Sequence, residues 1–153
     1  MFKLIEKFFR SFVAQTPPQW QQAEEGTNEY MRDNEAIKEN IYRSFGKGWF
    51  KRLECEDGWI EIIAECHSEL LSLDPEYTIF QIKQKFGTLR YYAEPSQPQY
   101  SDRFREIIDK YEQLSSRICE ITGTKGTLMK RGGWYKTIDP TLGRVLGYQE
   151  TQK

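Results

Sequence analysis

The chain is short of metal-binding and redox-active side chains: its 153 residues include one histidine and three cysteines. An odd cysteine count leaves no closed disulfide framework, the usual staple of a small secreted chain. His67 and Cys66 are adjacent, so on a helix they diverge by about 100°. A nucleophile and its base must meet in space, and these two do not. Long apolar runs are missing as well. None approaches the roughly 18 residues of a membrane span. The apolar start, MFKLIEKFFRSFVAQ, is broken by Lys3, Glu6, Lys7 and Arg10. It lacks the unbroken centre and small-residue cleavage site of a signal peptide. The expectation is a cytoplasmic protein without membrane contact. Excess charge is absent too. Twenty-two basic against 23 acidic residues leave a net charge of -1, whereas nucleic-acid-binding domains are usually more basic.

What is present is aromatic content, 14% of the chain, and charge that is segregated along it. Residues 53–76 hold eight carboxylates and no Lys or Arg, while residues 77–138 hold eleven basic against six acidic residues. Such a split produces a surface field only if the fold keeps the two groups apart.

The apolar pattern gives the expected fold class, α+β. A single domain is expected, with an antiparallel sheet of two β-hairpins packed with two main helices at 58–73 and 101–121, plus a helical N-terminal arm. Three regions follow: the arm at 1–46, the core at 47–148 and a tail at 149–153. In the arm, Phe2, Ile5, Phe9 and Phe12 share one helical stripe over residues 2–14. Pro17 and Pro18 end that helix. Residues 16–26 read as a linker, after which Asn28 or Asn34 caps a helix that Gly46 ends in a left-handed cap. The Phe-rich helix is expected to pack on the core or on a second copy, giving a homodimer.

In the core, Asp57 is the expected cap of a helix with Trp59, Ile62, Ile63, Cys66, Leu70 and Leu71 on its apolar stripe. Residues 77–84 have strand composition with apolar residues on both faces, so the strand is expected to be central. A return strand at 88–94, a helix from Ser101 or Asp102, and a hairpin turned by Gly132-Gly133 follow.

Three functional constellations arise. Glu61, Glu65 and Glu69 repeat every fourth residue, a like-charge row that costs helix stability unless a cation offsets it. With Asp74 they form an expected docking face for a basic protein, as a small inhibitor or immunity protein opposing a nuclease toxin would present. The second constellation interleaves cations and rings: Lys83, Lys85, Arg90 and Tyr92 on one hairpin, and Lys130, Arg131, Trp134 and Lys136 on the other. Cations for phosphates and rings for bases suit single-stranded nucleic acid. The third is a divergent Mg-dependent nuclease with Glu61 or Glu65, Asp74 and Gln81-Ile82-Lys83. It fits poorly, because Asp74 and Gln81 fall on one strand or its lead-in. No catalytic residue, cofactor or metal is expected. The leading expectation is a non-enzymatic protein-binding module, with the nucleic-acid binder and the nuclease as alternatives.

Residues 118–140, ICEITGTKGTLMKRGGWYKTIDP, resemble the zinc-knuckle-like half of a small family of uncharacterised bacterial and prophage proteins. That family carries Cys-x-x-Cys-Gly, a basic hairpin with Gly-Gly-Trp, and Thr-Leu-Cys-x-x-His. The run GWIEIIAECHSELLSLDPEYTIFQIKQKFGTLRYY at 58–92 is similar to an earlier segment of the same family. The resemblance keeps Cys119 and aligns Thr122, Asp139 and Leu142 with the other three ligands. It implies a shared α+β fold and a degenerate knuckle, because one ligand of four does not hold a structural zinc. The family supplies no activity to carry over.

Overall fold

The computed structural model describes residues 19–151. The helix expected at 2–14, the homodimer attached to it and the last two residues of the tail lie outside them. The chain divides into two compact units, Met1–Asp33 and Asn34–Lys153.

Helix α1 spans Gln19–Tyr42. The linker expected at 16–26 is therefore helical from Gln19 onward. Gln, Glu and Ala are good helix formers, and Gly26 alone costs only about 1 kcal/mol. Asn34 is buried inside the helix rather than capping it. Ile41 and Phe45 belong to the main core. Gly46 is not the left-handed residue of this exit; Gly48 is, at φ 86°. The Gly46 N–H instead donates to the Ile79 carbonyl at 2.9 Å. A Cβ at Gly46 would come within 2.9 Å of Thr78 Cγ2, so glycine serves close approach here.

The first sheet has the order β1-β2-β3, with β1 Leu53–Glu54, β2 Thr78–Lys85 and β3 Thr88–Glu94. Strand β1 runs parallel to β2, and β2 pairs antiparallel with β3. The strand with apolar residues on both faces is thus the central one. A bulge between Ile79 and Gln81 lets Ile79 and Ile82 both point inward. Strict alternation does not allow that, because one inserted residue shifts the side-chain phase.

Helix α2 spans Ile60–Leu73, entered through a 3₁₀ turn at Asp57–Trp59. Asp57 opens that turn without a side-chain cap, and its carboxylate pairs with Lys38 at 3.0 Å instead. Helix α3 spans Ser101–Ser115. Its expected end at 121 comes early. The Ser115 and Ser116 hydroxyls donate back to the carbonyls of Glu112 and Gln113, and a tight turn at Cys119 takes over. The α2 and α3 stripes, with the inward residues of β2 and β3, form one core around Trp59, Ile63, Leu70, Ile82, Leu89 and Phe104.

The second sheet has the order β5-β4-β6, from β4 Thr127–Arg131, β5 Trp134–Ile138 and β6 Gln149–Glu150. Helix α4, Pro140–Val145, is capped by the Asp139 carboxylate accepting from the Leu142 N–H at 2.9 Å. The α+β class holds, but each hairpin anchors its own sheet. The reason is that their flanks are taken. Strand β1 occupies one side of β2 and β6 one side of β4. On the outer edge of β3, the Leu89 N–H donates to Ser115 Oγ and the Tyr91 N–H to Glu112 Oε1, both at 2.9 Å. An edge satisfied by side chains recruits no further strand.

The lone histidine is a core residue. His67 Nδ1 meets the Tyr77 hydroxyl, which meets the Tyr91 hydroxyl at 2.8 Å. Burial pushes the His67 pKa down and keeps the ring neutral.

Asp74 is 2% exposed and latches the loop after β3. Its carboxylate accepts from the Ser96 N–H at 2.5 Å, the Ser96 hydroxyl at 2.7 Å and the Glu76 N–H at 3.1 Å. Burial alone would raise its pKa; these hydrogen bonds outweigh burial and hold it below the usual value. Asp74→Ala is expected to cost about 2 kcal/mol in urea unfolding, since hydrogen bonds to a charged group are the stronger kind. The folded pKa is depressed. Its stabilisation is therefore complete above the unfolded carboxylate pKa of about 4 and lost as pH falls through the lower folded value. Below that range the variant and the parent should converge.

Candidate functional site

With both helices on the inner side of the first sheet, its outer side carries the polar and aromatic residues of three strands. Cross-strand register sets them in rows. Glu54, Lys83 and Arg90 are successive partners, followed by Gln81 opposite Tyr92 and Lys85 opposite Thr88. The Lys83 ammonium lies 5.5 Å from the centre of the Tyr92 ring, and Lys85 lies 5.7 Å from that of Phe86. Both are within cation–π range. Gln81 Nε2 donates to Glu54 Oε2 at 3.1 Å, which fixes the amide between them.

The loop before β1 extends this face. Trp49 packs on Phe80 at 5.2 Å between ring centres, and Arg52 lies 5.5 Å from the Phe50 ring. Trp49 and Phe50 are both more than half exposed. Sequence reasoning passed over these two. The signal was Lys-Gly-Trp-Phe-Lys-Arg at 47–52, an aromatic pair bracketed by cations with no apolar periodicity to bury it.

The second hairpin is fastened beside the first. Gln84 Nε2 donates to the Tyr135 carbonyl at 2.5 Å, and the Thr137 hydroxyl to the Gly87 carbonyl at 2.6 Å. Trp134, beside the Gly132-Gly133 turn, is 77% exposed.

The expected cations divide into two kinds. Among the described residues Lys83, Lys85 and Lys130 make no ion pair. The others are engaged. Arg90 donates to Thr88 Oγ1 and the Leu89 carbonyl, both at 2.8 Å, and faces Glu112 at 3.8 Å. Arg131 donates to the Leu146 carbonyl at 2.7 Å and covers the Tyr148 ring. Lys136 pairs with Glu120 at 3.1 Å and Glu56 at 3.7 Å. Glu120 is 2% exposed, and its Oε2 has the Lys136 charge beside it but no well-aligned hydrogen bond. The ammonium is what offsets the cost of burying that carboxylate. Tyr91 is buried, so of the Tyr91-Tyr92 pair only Tyr92 reaches the face.

The acidic run is largely spent inside the molecule. Glu54 pairs with Arg52, Glu56 with Lys136, Asp57 with Lys38 and Glu69 with Lys110, while Asp74 is internal. Glu69 also accepts from the Tyr111 hydroxyl at 2.6 Å. The bond from Lys110 is the main reason its pKa is lowered. The cation that offsets the glutamate row is thus Lys110, from α3. Asp74 is withdrawn from the expected docking face. Glu61 and Glu65 remain exposed on α2 and make no ion pair among the described residues. Trp59 is fully buried, its Nε1 donating to the Ile118 carbonyl at 2.9 Å, and is no surface anchor.

The nuclease constellation is not brought together. Helix α2 with Glu61 and Glu65 lies on the inner side of the sheet, whereas Gln81 and Lys83 lie on the outer side, and Asp74 has its oxygens occupied.

The turn at Cys119 is compact, the Gly123 N–H donating to the Cys119 carbonyl at 2.9 Å. The Thr122 N–H approaches the Cys119 sulfur at 3.4 Å. Burial would raise this thiol's pKa, but hydrogen bonds from Thr122 and from the backbone of Asp139 and Ile121 outweigh it and lower the pKa. Cys119, Thr122 and Asp139 therefore converge, with the sulfur satisfied by N–H donors. Among the described residues no group of three or more His, Cys, Asp or Glu side chains is placed to hold a metal. Excess EDTA is expected to leave the thermal midpoint unchanged within about a degree, because a folding metal would take its binding energy with it. A drop of several degrees would show that a metal contributes.

No family model, curated protein or solved structure matches the chain.

Proposed function

We propose that the protein binds single-stranded nucleic acid along the outer side of its first sheet, without catalysing a reaction on it. The observation that carries this reading is the pairing of unneutralised lysines with exposed rings on the first hairpin, Lys83 with Tyr92 and Lys85 with Phe86. Exposed aromatics add nothing to the core. Rings beside free ammonium groups match a ligand that alternates flat bases with phosphates. Trp49, packed on Phe80, and Phe50, beside Arg52, add exposed rings next to this face. A duplex presents no unstacked bases to such rings, so the ligand is single-stranded.

The net charge of -1 is compatible with this reading because Asp57, Glu69 and Glu120 are paired with lysines away from this face. The same pairing weakens the docking reading, which needs a field of free carboxylates and retains chiefly Glu61 and Glu65.

Fluorescence anisotropy with labelled 12-nucleotide single strands of DNA and RNA, and with the matching duplex, tests the proposal. Single strands should bind in the micromolar range at 50 mM salt and weaken steeply with added salt. Glu61→Lys/Glu65→Lys should bind as tightly or tighter. No binding of any single strand, or equal preference for duplex, would refute the proposal. Loss of binding to a basic protein in the same double variant would restore the docking reading.

A further inference from the structure

We propose that Phe86, at the tip of the first hairpin, is held in a strained conformation so that its ring is presented to an unpaired base. This inference rests on the nucleic-acid reading and names its anchor.

Phe86 is the one non-glycine among the described residues with positive φ, 52°, and Gly87 follows at φ 81°. With Lys85 opposite Thr88, these two residues are the whole turn. A two-residue turn with two positive φ angles is the natural place for Asn-Gly. A bulky side chain there is a real outlier, because its Cβ crowds the following carbonyl. Strain of this kind persists where surrounding structure enforces it, and it concentrates at functional sites.

Packing does not compensate. The ring is 68% exposed. The Lys85 ammonium lies 5.7 Å from its centre, and among the described residues it takes part in none of the ring–ring contacts. The turn beneath it is fixed. The Gly87 carbonyl accepts from the Thr137 hydroxyl of the second sheet, and a Cβ at Gly87 would collide with the Leu128 side chain and lie 3.4 Å from the Lys136 backbone nitrogen. The chain thus bears a left-handed aromatic residue and an exposed apolar ring together, on an anchored turn and beside a free lysine. A base stacked on the ring would remove the exposure and bring its phosphate to Lys85.

The test is Phe86→Asn, which installs the preferred turn residue. The variant should unfold at a higher urea concentration than the parent. Its affinity for a 12-nucleotide oligo(dT) should fall roughly five- to a hundredfold, the fold-change of stacking on one base. The slope of log affinity against log salt should stay unchanged, since no charge is lost. Phe86→Trp should retain affinity. If Phe86→Asn binds like the parent while Lys83→Glu/Lys85→Glu loses binding, the inference fails and the proposed function stands. If the parent binds no oligonucleotide, both fail. A variant less stable than the parent would overturn the strain argument.

Discussion

Gly58→Ala is expected to destabilise the protein by about 3 kcal/mol, at the upper end of overpacking costs, because no neighbouring atom is free to yield. A Cβ at residue 58 would lie 2.5 Å from the Cys119 carbonyl oxygen and 2.6 Å from the Glu120 carbonyl carbon, and would clash with the Glu120 oxygen as well. All of these are backbone atoms. They sit in a turn already tied down by the Gly123 N–H donating to the Cys119 carbonyl and the Glu120 N–H donating to Thr137, each at 2.9 Å. The other side of the contact is equally fixed. The Glu56 N–H donates to Glu120 Oε1 at 3.2 Å, and Trp59 reaches the Ile118 carbonyl. One methyl group would force apart the entry to α2 and the Cys119 turn. Urea unfolding followed by tryptophan fluorescence measures the loss. A change under about 1 kcal/mol would mean that these turns do not pack so closely. An unchanged oligonucleotide affinity in the folded fraction is expected, because the outer side of the first sheet takes no part in this contact.

Much of the fold was legible because local pattern and tertiary role agree. The α2 stripe from Trp59 to Leu70, the both-sided apolar content of β2, and the Gly132-Gly133 turn each follow from period and turn chemistry. What was not legible depends on long-range contacts. The bulge at Phe80 decides which side Ile82 takes, and no alternation rule announces it. Gly46 looks like a helix cap in sequence, but its role is set by Thr78, far along the chain. The acidic run shows the limit most clearly. Eight carboxylates without a sequence neighbour of opposite sign suggested a free face, but Lys38, Lys110 and Lys136 arrive from other elements to neutralise Asp57, Glu69 and Glu56. The candidate site was half legible. Lys83, Lys85 and Tyr92 alternate on their strands as read, while Trp49 and Phe50 lie in a loop where periodicity carries no information. Phe86 was visible as a ring beside a lysine, but its left-handed conformation is not a sequence property.

Lys83→Glu/Lys85→Glu is expected to lower single-strand affinity by about a hundredfold at 50 mM salt, the largest effect of any substitution on this face. Each unpaired lysine that displaces a counterion contributes about 0.7 to the salt slope on single strands. Reversing two of them removes two attractions and adds two repulsions at the centre of the face, so the slope should flatten by at least about 1.4. The paired cations should behave differently. Lys136→Glu would place a second carboxylate against buried Glu120, and leaving a buried charge uncompensated costs about 3–5 kcal/mol. Its effect should appear in urea unfolding, with little change in affinity per folded molecule. Arg90→Glu should do the same more mildly, since Glu112 is only half-buried. Paired measurements of stability and affinity on the three variants separate the two classes. If Lys136→Glu lowers affinity as much as Lys83→Glu/Lys85→Glu while both stay folded, the division between free and structural cations is wrong. The binding face would then have to be redrawn around the second hairpin.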